Sequence, residues 1–174
     1  MLIYYQSRFD NQFEDAKGVI DRAKENGVEF SSCLKLYEVK ILRNLAGKKE
    51  DRELPLKLCG ELMKEIEGET DIEDTSEVEF ETALLHWDND EFQEALSHMA
   101  EAIRKNAGRM QYRLVRGNIY LDMKKYNEAL TEYAGAEEVY RSSPSLYYNR
   151  GLCYEGKKMK EGIWDFKRYE QETG

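Results

Sequence analysis

Apolar residues recur at steps of three and four along most of this chain. Phe92, Ala95, Leu96, Met99, Ala102 and Ile103 share one helix face, and Tyr126, Ala129, Leu130, Tyr133 and Ala136 share another. Residues 78–87, 112–123 and 146–154 read as partner helices, and residues 159–170 as a last helix. Asp88, Asn89 and Asp90 supply turn and cap chemistry after the first of these partners. Upstream, residues 2–8 and 13–23 read as a short helix and its partner, stopped at Asn26-Gly27. Residues 30–45 and 52–67 read as another pair, stopped at Gly47 and Gly68. Pro55 falls in a first turn, where its missing N–H costs least. The pattern predicts an all-α chain of about ten helices in five antiparallel pairs.

These helices recur with a fixed period. FQEALSHMAEAI, beginning at Phe92, aligns with YNEALTEYAGAE, beginning at Tyr126, and Ala95 and Ala129 lie 34 residues apart. Gly117 and Gly151, each preceded by arginine and followed by a tyrosine three residues on, keep the same 34-residue spacing. Small residues sit where paired helices would approach most closely. They are Ala83, Gly117 and Gly151 on first helices, and Ala95, Ala129 and Gly162 on second ones. A larger side chain there would push the pair apart and uncover its apolar stripe.

A helix–turn–helix unit of 34 residues carrying these side chains resembles the tetratricopeptide repeat. Residues 76–109 place Ala83, His86, Phe92, Ala95, Met99 and Ala102 in the marked positions, and residues 110–143 place Gly117, Tyr120, Tyr126, Ala129, Tyr133 and Ala136. Residues 144–174 supply Tyr147, Gly151, Tyr154, Met159, Gly162 and Phe166, with a one-residue deletion expected near Gly156-Lys157. His86 replaces the usual aromatic, Arg116 and Arg150 replace the usual leucine, and Tyr169 stands where a small residue is usual. Residues 1–75 read as degenerate helix pairs with a lengthened loop at 46–51 and an acidic linker at 69–74. The resemblance implies one domain over residues 1–174, a right-handed solenoid of antiparallel helix pairs.

Composition narrows the classes. With 35% charged residues and only two prolines, the chain suits long, solvent-washed helices. No apolar run approaches the ~20 residues of a membrane span, and the first ten residues lack the basic lead of a secretory signal. A membrane is therefore not an expected partner. Cys33, Cys59 and Cys153, odd in number and far apart, point to a reducing compartment, cytoplasm or nucleus. Residues 61–101 hold fifteen acids and one base, whereas residues 102–125 hold seven bases and one acid. The two stretches are expected to neutralise each other on packing. A net charge of −9 argues against nucleic acid as the partner of the basic stretch.

No pattern points to catalysis. His86 lies on an apolar stripe, which predicts a packed or hydrogen-bonded core histidine, while His98 is expected to face solvent or the next unit. No cysteine or second histidine stands beside them at metal-ligand spacing, and no phosphate loop or nucleophile elbow occurs. Neither a metal, a cofactor nor an enzyme activity is expected.

In a helix-pair solenoid the first helix of each unit lines the inner groove. Here the inward positions are Phe80, Leu84 and Trp87, then Leu114, Asn118 and Leu121, then Tyr148 and Leu152, rimmed by Asp88, Asp122 and Glu155. Such a stripe suits an amphipathic helix or apolar peptide, unless the chain's own helices cover it. Members of the family that clamp a chaperone's terminal carboxylate use a lysine one turn before the position of Asn118. Leu114 stands there, and Phe80 in the preceding unit, so no clamp is expected. The resemblance thus implies a non-catalytic scaffold or adaptor. The alternatives are a homodimerising subunit of a larger assembly, as in the anaphase-promoting complex, and, less favoured, a co-chaperone. Ile163, Trp164, Phe166 and Tyr169 on the last helix, and Leu2, Ile3, Tyr4 and Tyr5 on the first, form apolar sets wider than one neighbour covers. An intermolecular contact, with a second copy or a continuation of the chain, is expected at one end.

Overall fold

The computed structural model describes residues 2–66, 72–137, 143–159 and 161–173, with the side chains of residues 2–11 and 72–74 excepted. Among these residues there are nine α-helices: α1 (Leu2–Glu25), α2 (Ser32–Leu45), α3 (Glu53–Ile66), α4 (Ile72–Asp88), α5 (Phe92–Lys105), α6 (Met110–Asp122), α7 (Tyr126–Glu137), α8 (Pro144–Gly156) and α9 (Gly162–Thr173). A 3-10 turn, Glu50–Arg52, leads into α3. The helices form two compact units, Met1–Glu91 and Phe92–Gly174.

In the first unit, α1 is one continuous helix where the sequence reads as two. Phe9, Asp10, Asn11 and Gln12 include no glycine or proline to break it. Its end is the expected one: Gly27 takes φ 71°, and the Val28 N–H donates to the Ala23 carbonyl at 3.0 Å, closing a Schellman turn. The Ser31 hydroxyl accepts from the Leu34 N–H at 3.4 Å and caps α2. α4 begins at Ile72 rather than near residue 78, so residues 72–74 of the expected linker are helical. Gly68 and linker residues 69–71 lie outside the described residues.

The core of this unit joins Leu36 and Val39 of α2, Cys59, Leu62 and Ile66 of α3, and Val78 and Leu85 of α4. α2 and α3 both pack on α4, whose residues 76–85 are all buried. That run includes Glu77 and Glu81, and a buried carboxylate is costly unless it is paired. α2 supplies the partners: Lys40 Nζ lies 2.9 Å from Glu77 Oε2, and Arg43 Nε donates to Glu81 Oε2 at 2.9 Å. On another face of α2, Lys24 from α1 donates to Glu38 at 2.5 Å.

Consecutive helices pack on one another in the second unit, and α6 also meets α8. Facing residues show that α6 and α7 run antiparallel: Gly117 looks onto the Tyr133 ring, and Arg113, one turn earlier, reaches Gly135. A Cβ at Gly117 would lie 2.5 Å from that ring, and one at Gly151 would lie 2.8 Å from the Phe166 ring. The small residues of the repeat thus stand where helices of a pair come closest.

Three turns share one geometry. Asp90, Lys124 and Lys158 adopt φ 62°, 58° and 56°, each in the left-handed region at the end of a first helix. The N–H of the following residue, Glu91, Lys125 or Met159, donates back to the carbonyl of His86, Tyr120 or Tyr154 at 2.9, 2.8 and 2.8 Å. Lys124 and Lys158 are 34 residues apart, but Tyr133 and Phe166, which fill equivalent places, are 33 apart. The missing residue therefore lies between Lys158 and Gly162, not at Gly156-Lys157. α9 correspondingly starts at Gly162 rather than at residue 159.

Candidate interaction surface

The arginines that replace the usual leucine are each answered by an acid on the second helix of the same pair. Arg116 Nη2 donates to Glu132 Oε1 at 2.7 Å. Arg150 donates to Asp165 through Nε and Nη2 at 2.7 and 2.6 Å, and its Nη1 reaches Glu137 at 2.7 Å. Asp165 and Glu132 are buried, so these are charge-assisted bonds shielded from water. The carboxylates hold the Arg150 guanidinium protonated more firmly than usual.

The inner positions read from the sequence divide between the two units. Phe80 and Leu84, on α4, are buried with the rest of residues 76–85 and present little exposed surface. Trp87 is half-buried, and Asp88, whose carboxylate lies 3.8 Å from Arg43, is exposed. In the second unit Leu114 and Leu121 are half-buried against a cluster of Ala129, Tyr133, Leu146 and Cys153. Asn118 Oδ1 accepts from Tyr133 Oη and from Asn149 Nδ2, both at 2.8 Å. That second bond ties α6 to α8 edge to edge. Leu152 is half-buried, Tyr148 is 43% exposed, and Asp122 and Glu155 stand exposed beside them.

Tyr148 has two aromatic neighbours, one of which departs from the repeat pattern. Its ring lies 5.9 Å from Phe166 and 5.3 Å from Tyr169, both on α9. Tyr169, at a place where a small residue is usual, thereby extends an aromatic patch, and its three-residue step from Phe166 is the signal for it. Phe166 is half-buried against Gly151, whereas Ile163 and Trp164 on the same helix are 57% and 77% exposed.

Other chemistry is structural. His86 Nδ1 sits 2.8 Å from Glu91 Oε2, the hydrogen-bonded histidine expected, and His98 is half-buried. Among the described residues no group of three His, Cys, Asp or Glu could hold a metal, and no helix is long and apolar enough to cross a membrane. Burial pushes the Cys59 and Cys153 thiols up to about 11, the former offset in part by a hydrogen bond with Thr82. The acids and bases do not pair simply as two successive stretches. Glu81 is met by Arg43 from far upstream, and Arg116 by Glu132 from downstream.

Residues 117–158 match the family described as TPR repeat. Residues 117–158 thus carry the tetratricopeptide-repeat pattern, and the described helices form an all-α fold of paired helices of the helical-solenoid kind. Solved structures of MamA share that fold. One superposes with a TM-score of 0.70 at 18% identity, covering 95% of this chain and 91% of that one. MamA from Desulfovibrio magneticus RS-1, starting at its residue 41, gives 0.65 at 15% identity over 80% and 76%. MamA MSR-1 gives 0.68 at 12% identity over 98% and 95%. At such identities the likeness is one of fold. No curated protein matches the sequence significantly.

Proposed function

We propose that the chain is a non-catalytic adaptor whose second unit holds an apolar or amphipathic segment of a partner protein against α6 and α8. The observation that carries this reading is Tyr148, exposed beside half-buried Leu152 and set on a helix that Asn118 and Asn149 bind to α6. Leu114 and Leu121 add apolar surface, and Asp122 and Glu155 favour basic residues flanking the segment. Trp87 is the accessible member of the inner positions in the first unit. Leu114 at the place of the clamp lysine argues against a co-chaperone. Peptides selected from a displayed library against the intact chain test the reading. Tyr148→Ala should weaken the selected peptides about tenfold or more while the helical signal and melting temperature hold. Trp87→Ala is the parallel test for the first unit. Selected peptides indifferent to Tyr148→Ala and Leu152→Ala would overturn it.

A second reading, self-association as in a homodimerising subunit, rests on Ile163 and Trp164, the most exposed apolar pair on α9. Sedimentation at micromolar concentration should then show a dimer that Trp164→Glu dissociates. A monomeric wild type would exclude it. We place either activity in a reducing compartment, cytoplasm or nucleus, where Cys33, Cys59 and Cys153 stay free thiols.

A further inference from the structure

A cavity of about 240 Å³ opens in the first unit between the end of α1, α2 and α3. It is smaller than the ~300–1,000 Å³ of sites for drug-sized ligands and cofactors. Its walls are apolar, made by Val28, Phe30, Leu58 and Leu62. Its remaining lining is charged: Lys24 and Lys35 against Glu38, Glu61 and Glu65, a net charge of −1.

Both ammonium groups are already spent. Lys24 donates to Glu38 at 2.5 Å, and Lys35 donates to Glu65. Glu61 is different: its cation is Lys57, one turn earlier on α3, at 3.7 Å and outside the cavity walls. That pair is open to water on both sides and is easily exchanged. The cavity therefore combines a short apolar shaft with one carboxylate available to a new partner. A carboxylate guest would find its cations engaged, and a purely apolar guest would gain nothing from Glu61.

We infer that this cavity receives a basic side chain, arginine or lysine, from a partner protein. The alkyl stem lies along Leu58, Leu62 and Phe30, and the charged head reaches Glu61. Long basic side chains bury their stems on apolar surface while keeping the head in a polar setting. The site lies in the first unit and is independent of the surface on α6 and α8, so either can fail without the other.

The test is a titration of the intact chain with the blocked tripeptide Gly-Arg-Gly, followed by amide and methyl NMR. Its neutral citrulline counterpart and the blocked tripeptide Gly-Glu-Gly serve as comparisons. Saturable shifts at Leu58, Leu62 and Phe30 are expected with the arginine peptide alone. Glu61→Gln, a substitution at an exposed position, should weaken binding about fivefold, and Lys57→Ala, which removes the competing cation, should strengthen it. Equal binding of the citrulline peptide would overturn the inference. So would preference for the glutamate peptide, absence of saturable shifts, or affinity unchanged in Glu61→Gln.

Discussion

Arg150 grips Asp165 through two parallel hydrogen bonds, at 2.7 and 2.6 Å, across the α8–α9 pair. Its counterpart one repeat earlier is looser. Arg116 reaches Glu132 through a single bond at 2.7 Å, and among the described residues Arg116 Nε and Glu132 Oε2 are buried without hydrogen-bond partners. Where the family usually packs a leucine, this chain has built the same ion pair twice, with unequal fit.

Breaking the tighter pair from one side should be costly, because it removes two charge-assisted bonds and leaves the half-buried Arg150 with Glu137 alone of its two carboxylates. Asp165→Ala is expected to lose about 3 kcal/mol in denaturant unfolding. Replacing both partners, as Arg150→Leu with Asp165→Leu, should recover most of that loss. A double variant no more stable than the single one would show that the pair itself, not relief of an under-compensated charge, sets the stability.

The glycines separate into two kinds. Gly117→Ala forces a methyl against the fully buried Tyr133 ring and should destabilise by about 1–3 kcal/mol. Gly60, inside α3, has nothing within 4 Å of a built Cβ. There alanine should raise stability by about 0.5–1 kcal/mol through helix propensity alone. Thermal melts of the two variants should therefore move in opposite directions.

Left-handed backbone is held at Lys124 and Lys158 by residues with a Cβ. Lys124→Gly and Lys158→Gly remove that strain and should each stabilise by about 0.5–1 kcal/mol. The backbone bonds that close these turns, from Lys125 N–H to Tyr120 and from Met159 N–H to Tyr154, are ones that glycine would keep. Equal or lower stability in both variants would contradict this account of the turns.

Carboxylates should titrate on opposite sides of their ordinary value. Burial raises the pKa of Glu81 despite Arg43 beside it, whereas hydrogen bonds from Lys49 and His86 lower that of Glu91. Glu81 thus favours the fold most below pH 4.5 and loses that contribution as pH rises through its raised value. Glu91 does the reverse, supporting the fold above 4.5 and losing that support as pH falls through its lowered value. Side-chain carboxyl NMR should show Glu81 titrating well above Glu91.

The three thiols should differ in reactivity. Cys33 is exposed, while Cys59 and Cys153 are buried with thiols pushed up to about 11. A disulfide reagent at neutral pH should consume one thiol quickly and the other two only as the chain unfolds.

The 34-residue period and the small residues at Gly117, Gly151 and Gly162 were readable because each imposes a local pattern on the sequence. What was not readable depends on distant pieces of chain. The break expected after residue 8 does not occur, since amphipathic spacing cannot say whether two helical stretches are joined. The acids answering Arg116 and Arg150 lie on the next helix, in a sequence so rich in Asp and Glu that no one carboxylate stands out. Phe80 and Leu84 look like groove residues by spacing, but residues 76–85 of α4 are buried around the whole circumference, glutamates included, and spacing carries no record of that. The aromatic patch at Tyr148 needed Tyr169, which the repeat pattern counts as an irregularity.

The residue missing between Lys158 and Gly162 also marks where chain length is free to vary. Upstream of it, the positive-φ turn at Lys158 is locked by backbone bonds, and downstream the seats of Gly162, Asp165 and Phe166 fix the rotation of α9 about its axis. An extra residue on either flank would swing those side chains by about 100°, the angle between neighbours on a helix. Inside the interval it would leave the residues on both flanks in register. A short insertion there is therefore the place to attach a fluorescent or affinity tag without retuning the repeat, and one placed between Gly151 and Lys158 should instead abolish the Arg150–Asp165 grip.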